Sequence, residues 1–224
     1  HDGSNVGPTC TATCNGGRQT RTRALTKEDF GGKKCPTGSQ GRACETQCCV
    51  GYFHKGAGCD KCDAGHFTAA QGSPSCDSCA TGKYQPDSGT TGCIDCPKGT
   101  QNHRTASTSA ELHCDLCAKG TYADLKGTTA CTACAKGKFN PSKGQDHAAS
   151  CQNCAEGNYS DAEASHGCKA CGMGQYNDEG TATATTACKV CAAGRYNRFS
   201  ARTTERHCLY CKCGQWSPKG STVC

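Results

Sequence analysis

Cysteine is the residue type in this sequence with the most chemistry to offer, at 26 of 224 positions. Eighteen of them form nine C-x-x-C pairs: Cys59/Cys62, Cys76/Cys79, Cys93/Cys96, Cys114/Cys117, Cys131/Cys134, Cys151/Cys154, Cys168/Cys171, Cys188/Cys191 and Cys208/Cys211. Paired thiols at this spacing can do three things. Two pairs separated by 15–20 residues can hold a tetrahedral zinc ion through four thiolates. A single pair beside a βαβ pattern can exchange electrons as a dithiol. In an oxidising compartment the thiols close into structural disulfides. Nine pairs leave a remainder when divided into four-cysteine sites, and a redox pair comes singly. Disulfides are therefore the expected chemistry, with no metal and no other cofactor.

The remaining reactive residue types form no constellation. The eight histidines are scattered, and His113 and His207 each precede the first Cys of a pair, which reads as surface positions of a repeat. No G-x-S-x-G, H-E-x-x-H, phosphate-loop or EF-hand spacing occurs. No rigid cleft can be argued for a pair of carboxylates, so the chain is expected to be non-enzymatic. The net charge of +6 is mild for this length, with no long basic run, so nucleic acid is not an expected partner. No apolar run is long enough to span a membrane. The chain opens at His1-Asp2-Gly3, which suggests a processed product.

The cysteines are positioned by a repeat. Successive pairs start 17, 17, 21, 17, 20, 17, 20 and 20 residues apart. After the second Cys of each pair comes x-x-Gly-x-aromatic, as in Cys62, Gly65, Phe67, then Cys117, Gly120, Tyr122, and finally Cys211, Gly214, Trp216. The unit at Cys96 keeps Gly99 but has Gln101 in place of the aromatic, and a shortened unit begins at Cys49 with Gly51, Tyr52 and Phe53. That makes ten units. The Gly supplies a positive φ or a close backbone approach beside the cross-link. The aromatic is the one large apolar group of the unit, able to cover the disulfide or the next unit. Tails such as Gly89-Thr90-Thr91-Gly92 and Thr181 to Ala187 read as turns and loops.

Composition leaves no room for an ordinary core. Val, Ile, Leu and Phe together number 15 of 224 residues, too few to offset the entropy of ordering the chain. Covalent cross-links must take that role. No segment has a helical period. The expected fold is small, disulfide-rich and mostly irregular, with short antiparallel β-ribbons and almost no helix. The units should stack into an elongated tandem-repeat rod with nearest-neighbour contacts. At a spacing of about 10 Å, ten of them would span about 100 Å.

From Cys49 to Cys224 the pattern resembles the cysteine-rich, EGF-like repeats found beside the ligand-binding domain of ephrin-receptor tyrosine kinases. The resemblance is specific for the repeat and implies no particular activity. The first 48 residues differ. Cys10-Thr-Ala-Thr13-Cys14-Asn-Gly-Gly17 is followed by Arg18-Gln-Thr-Arg21-Thr-Arg23, then Gly31-Gly32-Lys-Lys-Cys35-Pro36, Arg42-Ala-Cys44 and Cys48. This is similar to a thrombospondin type 1 repeat, which implies a thin three-stranded module in which strand arginines stack between tryptophans. His1 to Thr9 contains no Trp, so here Arg21 and Arg23 must find other partners. The domains are thus expected at 1–48 and 49–224.

The resemblances imply pairings. The thrombospondin-type module implies Cys10–Cys44 and Cys14–Cys48. The EGF-like hairpin implies that the second Cys of one pair bonds the first of the next. That gives Cys49–Cys59, Cys62–Cys76, Cys79–Cys93, Cys96–Cys114, Cys117–Cys131, Cys134–Cys151, Cys154–Cys168, Cys171–Cys188, Cys191–Cys208 and Cys211–Cys224. A crossed pattern, first to first and second to second, remains open on spacing. Cys35 and Cys213 are left unmatched, and an odd Cys in a secreted protein suggests an intermolecular bond.

Other candidate sites are modifications and surfaces. Asn158-Tyr159-Ser160 is a glycosylation sequon, and Thr13 matches the O-fucosylation pattern of thrombospondin type 1 repeats. Arg18, Arg21, Arg23, Lys33 and Lys34 concentrate positive charge and could bind sulfated glycans, although a solvated strand face explains them as well. The chain is expected outside the cell or at its surface. The first expectation of function is a structural subunit of an extracellular fibre, flagellar hair or surface coat that self-associates with neighbouring copies. The alternative is a spacer or ligand- or glycan-binding segment of a receptor or matrix adhesion protein.

Overall fold

A computed structural model describes residues 13–15, 18–20, 47–56 and 58–224; for 13–15, 18–20 and Gln47 it gives the course of the backbone only. The chain divides into two compact units, residues 1–94 with 105–109, and residues 95–104 with 110–224.

The first unit opens with a three-stranded antiparallel sheet in the order Thr13–Asn15, Arg18–Thr20, Gln47–Cys48. Thr13 lies opposite Thr20, and Arg18 opposite Cys48. A hairpin follows, Tyr52–Lys55 against Gly58–Lys61, and then the two-residue ribbon His66–Phe67 with Asp77–Ser78. The second unit is a series of such ribbons: Thr100–Gln101 with Asp115–Leu116, Thr121–Tyr122 with Thr132–Ala133, Lys138–Phe139 with Gln152–Asn153, and three more to Leu209–Tyr210.

The C-x-x-C spacing has a simple structural meaning. The two residues between the cysteines are the outer strand of a ribbon and are exposed in every repeat from Asp77–Ser78 onward. The two cysteines flanking them point into different cross-links. The bonds run from the second Cys of one pair to the first of the next: Cys62–Cys76, Cys79–Cys93, Cys96–Cys114, Cys117–Cys131, Cys134–Cys151, Cys154–Cys168, Cys171–Cys188, Cys191–Cys208 and Cys211–Cys224. The crossed pattern is not adopted.

Loop length decides where the little helix occurs. Bonds separated by 14 residues close through plain turns. Those separated by 17 carry three more residues, wound into one 3₁₀ turn just before the first Cys: Ala148–Ser150, Thr185–Ala187 and Glu205–His207. The 18-residue loop carries the one short α-helix among the described residues, Ala110–His113.

Two expected bonds are corrected. Cys48, not Cys49, pairs with Cys59, so neither Cys49–Cys59 nor Cys14–Cys48 forms; Cys49 is itself disulfide-bonded. The reason is register. Counting x-x-Gly-x-aromatic backward from Gly51 and Phe53 puts the repeat's second cysteine at Cys48. Cys48 is fully buried, and its carbonyl accepts a hydrogen bond from Gly72 N–H, as the carbonyl of Cys62 does from Gly89. The first full repeat thus begins one residue earlier than the expected boundary. Cys10, Cys35 and Cys44, and the bond Cys10–Cys44, lie outside the described residues.

Packing is also less local than expected. Gly120 N–H donates to Asn140 C=O of the next repeat, and Gly120 C=O accepts from Cys134 N–H, both at 2.8 Å. Cys134 C=O then accepts from Ala164 N–H, one repeat further on, at 2.9 Å. That contact lays the Ala164 carbonyl against Gly120 itself, where a Cβ would sit 1.9 Å from the oxygen. The same approach recurs from Gly99 to Gly144, Gly137 to Thr181, Gly157 to Ala201 and Gly174 to Gly220. Within the second unit, each of these repeats therefore touches the next and the one after it.

The core consists of cystines and small polar groups. The buried set is mostly half-cystines, joined by the residue that follows the aromatic position, held by Gln101 in one repeat: Thr68, Gln85, Asn102, Ala123, Asn140, Ser160, Asn177, Asn197 and Ser217. The aromatics of the repeat are only half-buried, and Trp216 is exposed.

Candidate functional site

The buried asparagines explain how each repeat holds a loop still. Asn177 Nδ2 donates to Asn158 C=O of the preceding repeat at 2.9 Å, and its Oδ1 accepts from Glu179 N–H at 3.0 Å. Asn140 and Asn197 repeat both bonds, to Thr121 C=O and Ser142 N–H, and to Gln175 C=O and Phe199 N–H. Donor and acceptor are both used, so a buried amide costs little here. The loop after each asparagine begins as an Asx-turn.

The same device, at Asn197, presents a basic and aromatic cluster in the second unit. Asn197 fixes the start of the loop Arg198–Phe199. Ala201 N–H donates to Cys171 C=O at 3.0 Å, and Arg202 C=O accepts from Asn177 N–H at 2.8 Å. On this anchored backbone the Arg198 guanidinium lies 5.2 Å from the Tyr196 ring centroid and that of Arg202 lies 4.5 Å from Phe199. Arg195 lies 4.1 Å from the ring of Tyr210 and also bonds its hydroxyl. The loop and the following 3₁₀ turn enclose a cleft of about 270 Å³ that also meets Arg206, His207 and Leu209.

Charge is concentrated at the same place. Residues 189–224 hold seven of the chain's 25 Lys and Arg and one of its 19 Asp and Glu, leaving 18 of each sign in residues 1–188. The one carboxylate, Glu205, is engaged by Arg195 at 2.8 Å. Among the described residues no carboxylate pairs with Arg198, Arg202 or Arg206. Earlier repeats carry balanced pairs instead. Lys169 Nζ meets Asp161 at 2.7 Å, and Lys189 meets Asp178 at 2.6 Å. The hydrogen bond from each lysine holds the aspartate below its ordinary pKa and raises the lysine above its own.

The sequence-predicted sites are dispersed. Thr13 and Arg18 lie on adjacent strands of the first sheet; Arg21, Arg23, Lys33 and Lys34 are outside the described residues. Asn158 is half-buried in its ribbon, with Nδ2 donating to Glu156 C=O at 3.1 Å. The hydroxyl of the sequon's Ser160 is buried against Ser165 Oγ at 2.7 Å. Cys213 is a free, exposed thiol. Cys48, His54 and Cys59 come within ligand distance of one another, but both sulfurs belong to one disulfide and offer no thiolate.

Residues 65–112 match the family described as Tyrosine-protein kinase ephrin type A/B receptor-like. This chain is similar to that family over those 48 residues, which span repeats at Cys62, Cys79 and Cys96. No curated protein matches the sequence. The chain carries a cysteine-rich repeat domain of a kind used in extracellular structural and receptor-like segments, and its many disulfides fit a secreted or extracellular setting. No helix among the described residues is long and apolar enough to cross a membrane.

Sequence reasoning missed the arginine cluster because it looked for consecutive basic residues. Arg195, Arg198, Arg202 and Arg206 are spaced by three and four but lie on a strand, an irregular loop and a 3₁₀ turn in succession, and the missing signal was the scarcity of acidic residues around them, Glu205 alone. The buried position after the aromatic was also missed: it is filled by Asn, Ser, Thr, Gln or Ala, none of which reads as core by hydrophobicity.

Proposed function

We propose that this chain is a non-enzymatic structural subunit of an extracellular fibre, flagellar hair or surface coat. The observation that supports it is the interlock through which the glycines of successive repeats, Gly99, Gly120, Gly137, Gly157 and Gly174 among them, each receive a carbonyl from two repeats on. Such a device uses backbone atoms alone and repeats without alteration of its chemistry, so it favours a scaffold of many like units. Residues 1–47 are proposed as a thrombospondin type 1-like module, with Cys48 given to the first repeat, a reading that the three-stranded sheet at Thr13–Asn15, Arg18–Thr20 and Gln47–Cys48 supports. The exposed thiol of Cys213 is suited to a covalent link with the Cys35 module of another copy, a heterologous contact that need not close. Glycosylation at Asn158 would have to precede folding, because Ser160 is buried afterwards.

The alternative is a spacer or ligand-binding segment of a receptor or matrix adhesion protein, favoured by the family match at residues 65–112. Electron microscopy of native material separates the two. Regular filaments containing the chain support the first reading. Dispersed molecules attached to a membrane protein or matrix ligand support the second. Peptide mapping without reduction tests the link: a Cys35–Cys213 peptide from an oligomer supports it, and recovery of Cys213 as a thiol from native assemblies removes it.

A further inference from the structure

We propose that the cleft formed by Arg198, Arg202 and Arg206 with Tyr196, Phe199 and His207 is a binding site for a sulfated oligosaccharide. It is distinct from the basic strand of the first module. It holds for either proposed function and rests only on their shared extracellular setting.

Three features carry it. The first is charge without a partner: three guanidinium groups line one cleft of about 270 Å³, and the nearby carboxylate of Glu205 is already held by Arg195. Unpaired arginines concentrated on one loop raise the local anion concentration. The second is the form of the donors. Arg198 and Arg202 are laid over aromatic rings at 5.2 Å and 4.5 Å. Stacking restrains a guanidinium while leaving its N–H edge free, and that edge matches the paired oxygens of a sulfate ester. The exposed ring of Phe199 and the half-buried ring of Tyr196 offer apolar surface for the C–H face of a sugar.

The third feature is rigidity. An exposed basic loop would ordinarily lose affinity to the cost of ordering it. Here Asn197 is buried with both amide groups bonded, Ala201 N–H is held by Cys171, and Arg202 C=O by Asn177. The Cys191–Cys208 bond closes the loop covalently. The arginines therefore project from a backbone fixed before any ligand arrives.

The test is binding of a size-defined heparin octasaccharide to the full chain by calorimetry, with de-sulfated heparin as the comparison. The triple variant Arg198→Gln/Arg202→Gln/Arg206→Gln is expected to weaken binding by about tenfold or more. A control that removes the same charge from exposed positions in the same unit, Lys119→Gln/Lys126→Gln/Lys143→Gln, is expected to change it less than about twofold. The triple Arg→Lys variant keeps charge and fold and should still lose several-fold, because the bidentate donors are gone. Equal losses in the two Gln triples, or an Arg→Lys triple that binds like the unaltered chain, would overturn the site by reducing it to general charge. Equal binding to phosphatidylserine vesicles, lost in the same Arg variant, would overturn the assignment to a sulfated sugar. Filament formation in electron micrographs is scored separately, so a failure here leaves the scaffold reading intact.

Discussion

Gly120 and Gly214 occupy the same place in their repeats and have nearly the same backbone, φ +81° and +80°. Their surroundings differ completely. A Cβ on Gly120 would lie 1.9 Å from the Ala164 carbonyl, whereas nothing among the described residues lies within 4 Å of one on Gly214. Gly194 is open in the same way. Interior repeats thus need glycine twice, for the left-handed turn and for the carbonyl seated on it. Among the described residues the glycines of the last two meet only the first demand. Among the described residues identical sequence grammar therefore meets different surroundings along the second unit, and the repeat that displays the arginines gives a carbonyl at Ala201 to Gly157 while its own Gly194 receives none.

Reduction should have the largest effect and should erase the contrast. Both regions take their core from cystine, and a closed loop of about 14 residues contributes roughly 3 kcal/mol per bond in the loop-entropy account. A strong reductant is expected to abolish protease resistance throughout, while a chelator leaves it unchanged. Unfolding by chelator alone, with thiols that titrate as free, would replace the disulfide reading with a metal one.

The glycines come next. Gly120→Ala combines a left-handed penalty of about 1–2 kcal/mol with displacement of a backbone carbonyl that Cys134 C=O holds in place through Ala164 N–H. Gly214→Ala incurs the first cost alone. Amide hydrogen exchange should show loss of protection at Cys134, Asn140 and Ala164 in the first variant, and a change confined to the final repeat in the second. Equal effects would mean that the close approach is not what fixes the interior glycines.

Much of this was legible in the sequence, but unevenly. The Cys, Gly and aromatic spacing specified the ribbons and the near-absence of helix, because each follows from local geometry, whereas the order of the bonds came from the resemblance to EGF-like repeats, since spacing left a crossed pattern open. The Cys48–Cys59 bond was missed although the same spacing, counted back from Gly51, contained it; the double cysteine Cys48-Cys49 invited the wrong register. The second-neighbour interlock was illegible for a physical reason. Its partners are a glycine and the carbonyl of Ala164, Thr181, Ala201 or another glycine, and a carbonyl carries no residue signature. The arginine cleft depends on which loop the cystine and Asn197 bring into place, so it emerges only once the chain is folded.

The interlock carbonyls come from residues with φ near +52 to +76°, four of which are not glycine: Ala106, Ala164, Thr181 and Ala201. Ala164→Gly relieves a penalty of about 1–2 kcal/mol and adds unfolded-chain entropy worth about 0.4–1 kcal/mol. The net is a small stabilisation, up to about 1.6 kcal/mol, read as slower exchange of the Ala164 and Cys134 amides. A destabilised variant would show that the Ala164 methyl itself contributes packing that outweighs the strain.

The smallest effect separates the two regions by pH. The Lys169–Asp161 and Lys189–Asp178 pairs are exposed, so each contributes little. Their aspartates are held below the ordinary carboxylate pKa, so what they add is present above about pH 4 and fades as pH falls through the depressed values. Their lysines are raised, so that contribution persists below about pH 10 and fades as pH climbs through the raised values. Arg198, Arg202 and Arg206 stay charged across the whole range. The arginines' share of heparin binding, read as the difference between the unaltered chain and the triple Arg→Gln variant, should therefore be the same at pH 5 and pH 9, and Asp178→Asn should shift thermal stability only slightly, with the difference vanishing near pH 2. A difference between the two proteins that changes steeply over that range would show that the cleft's recognition is not carried by arginine charge alone.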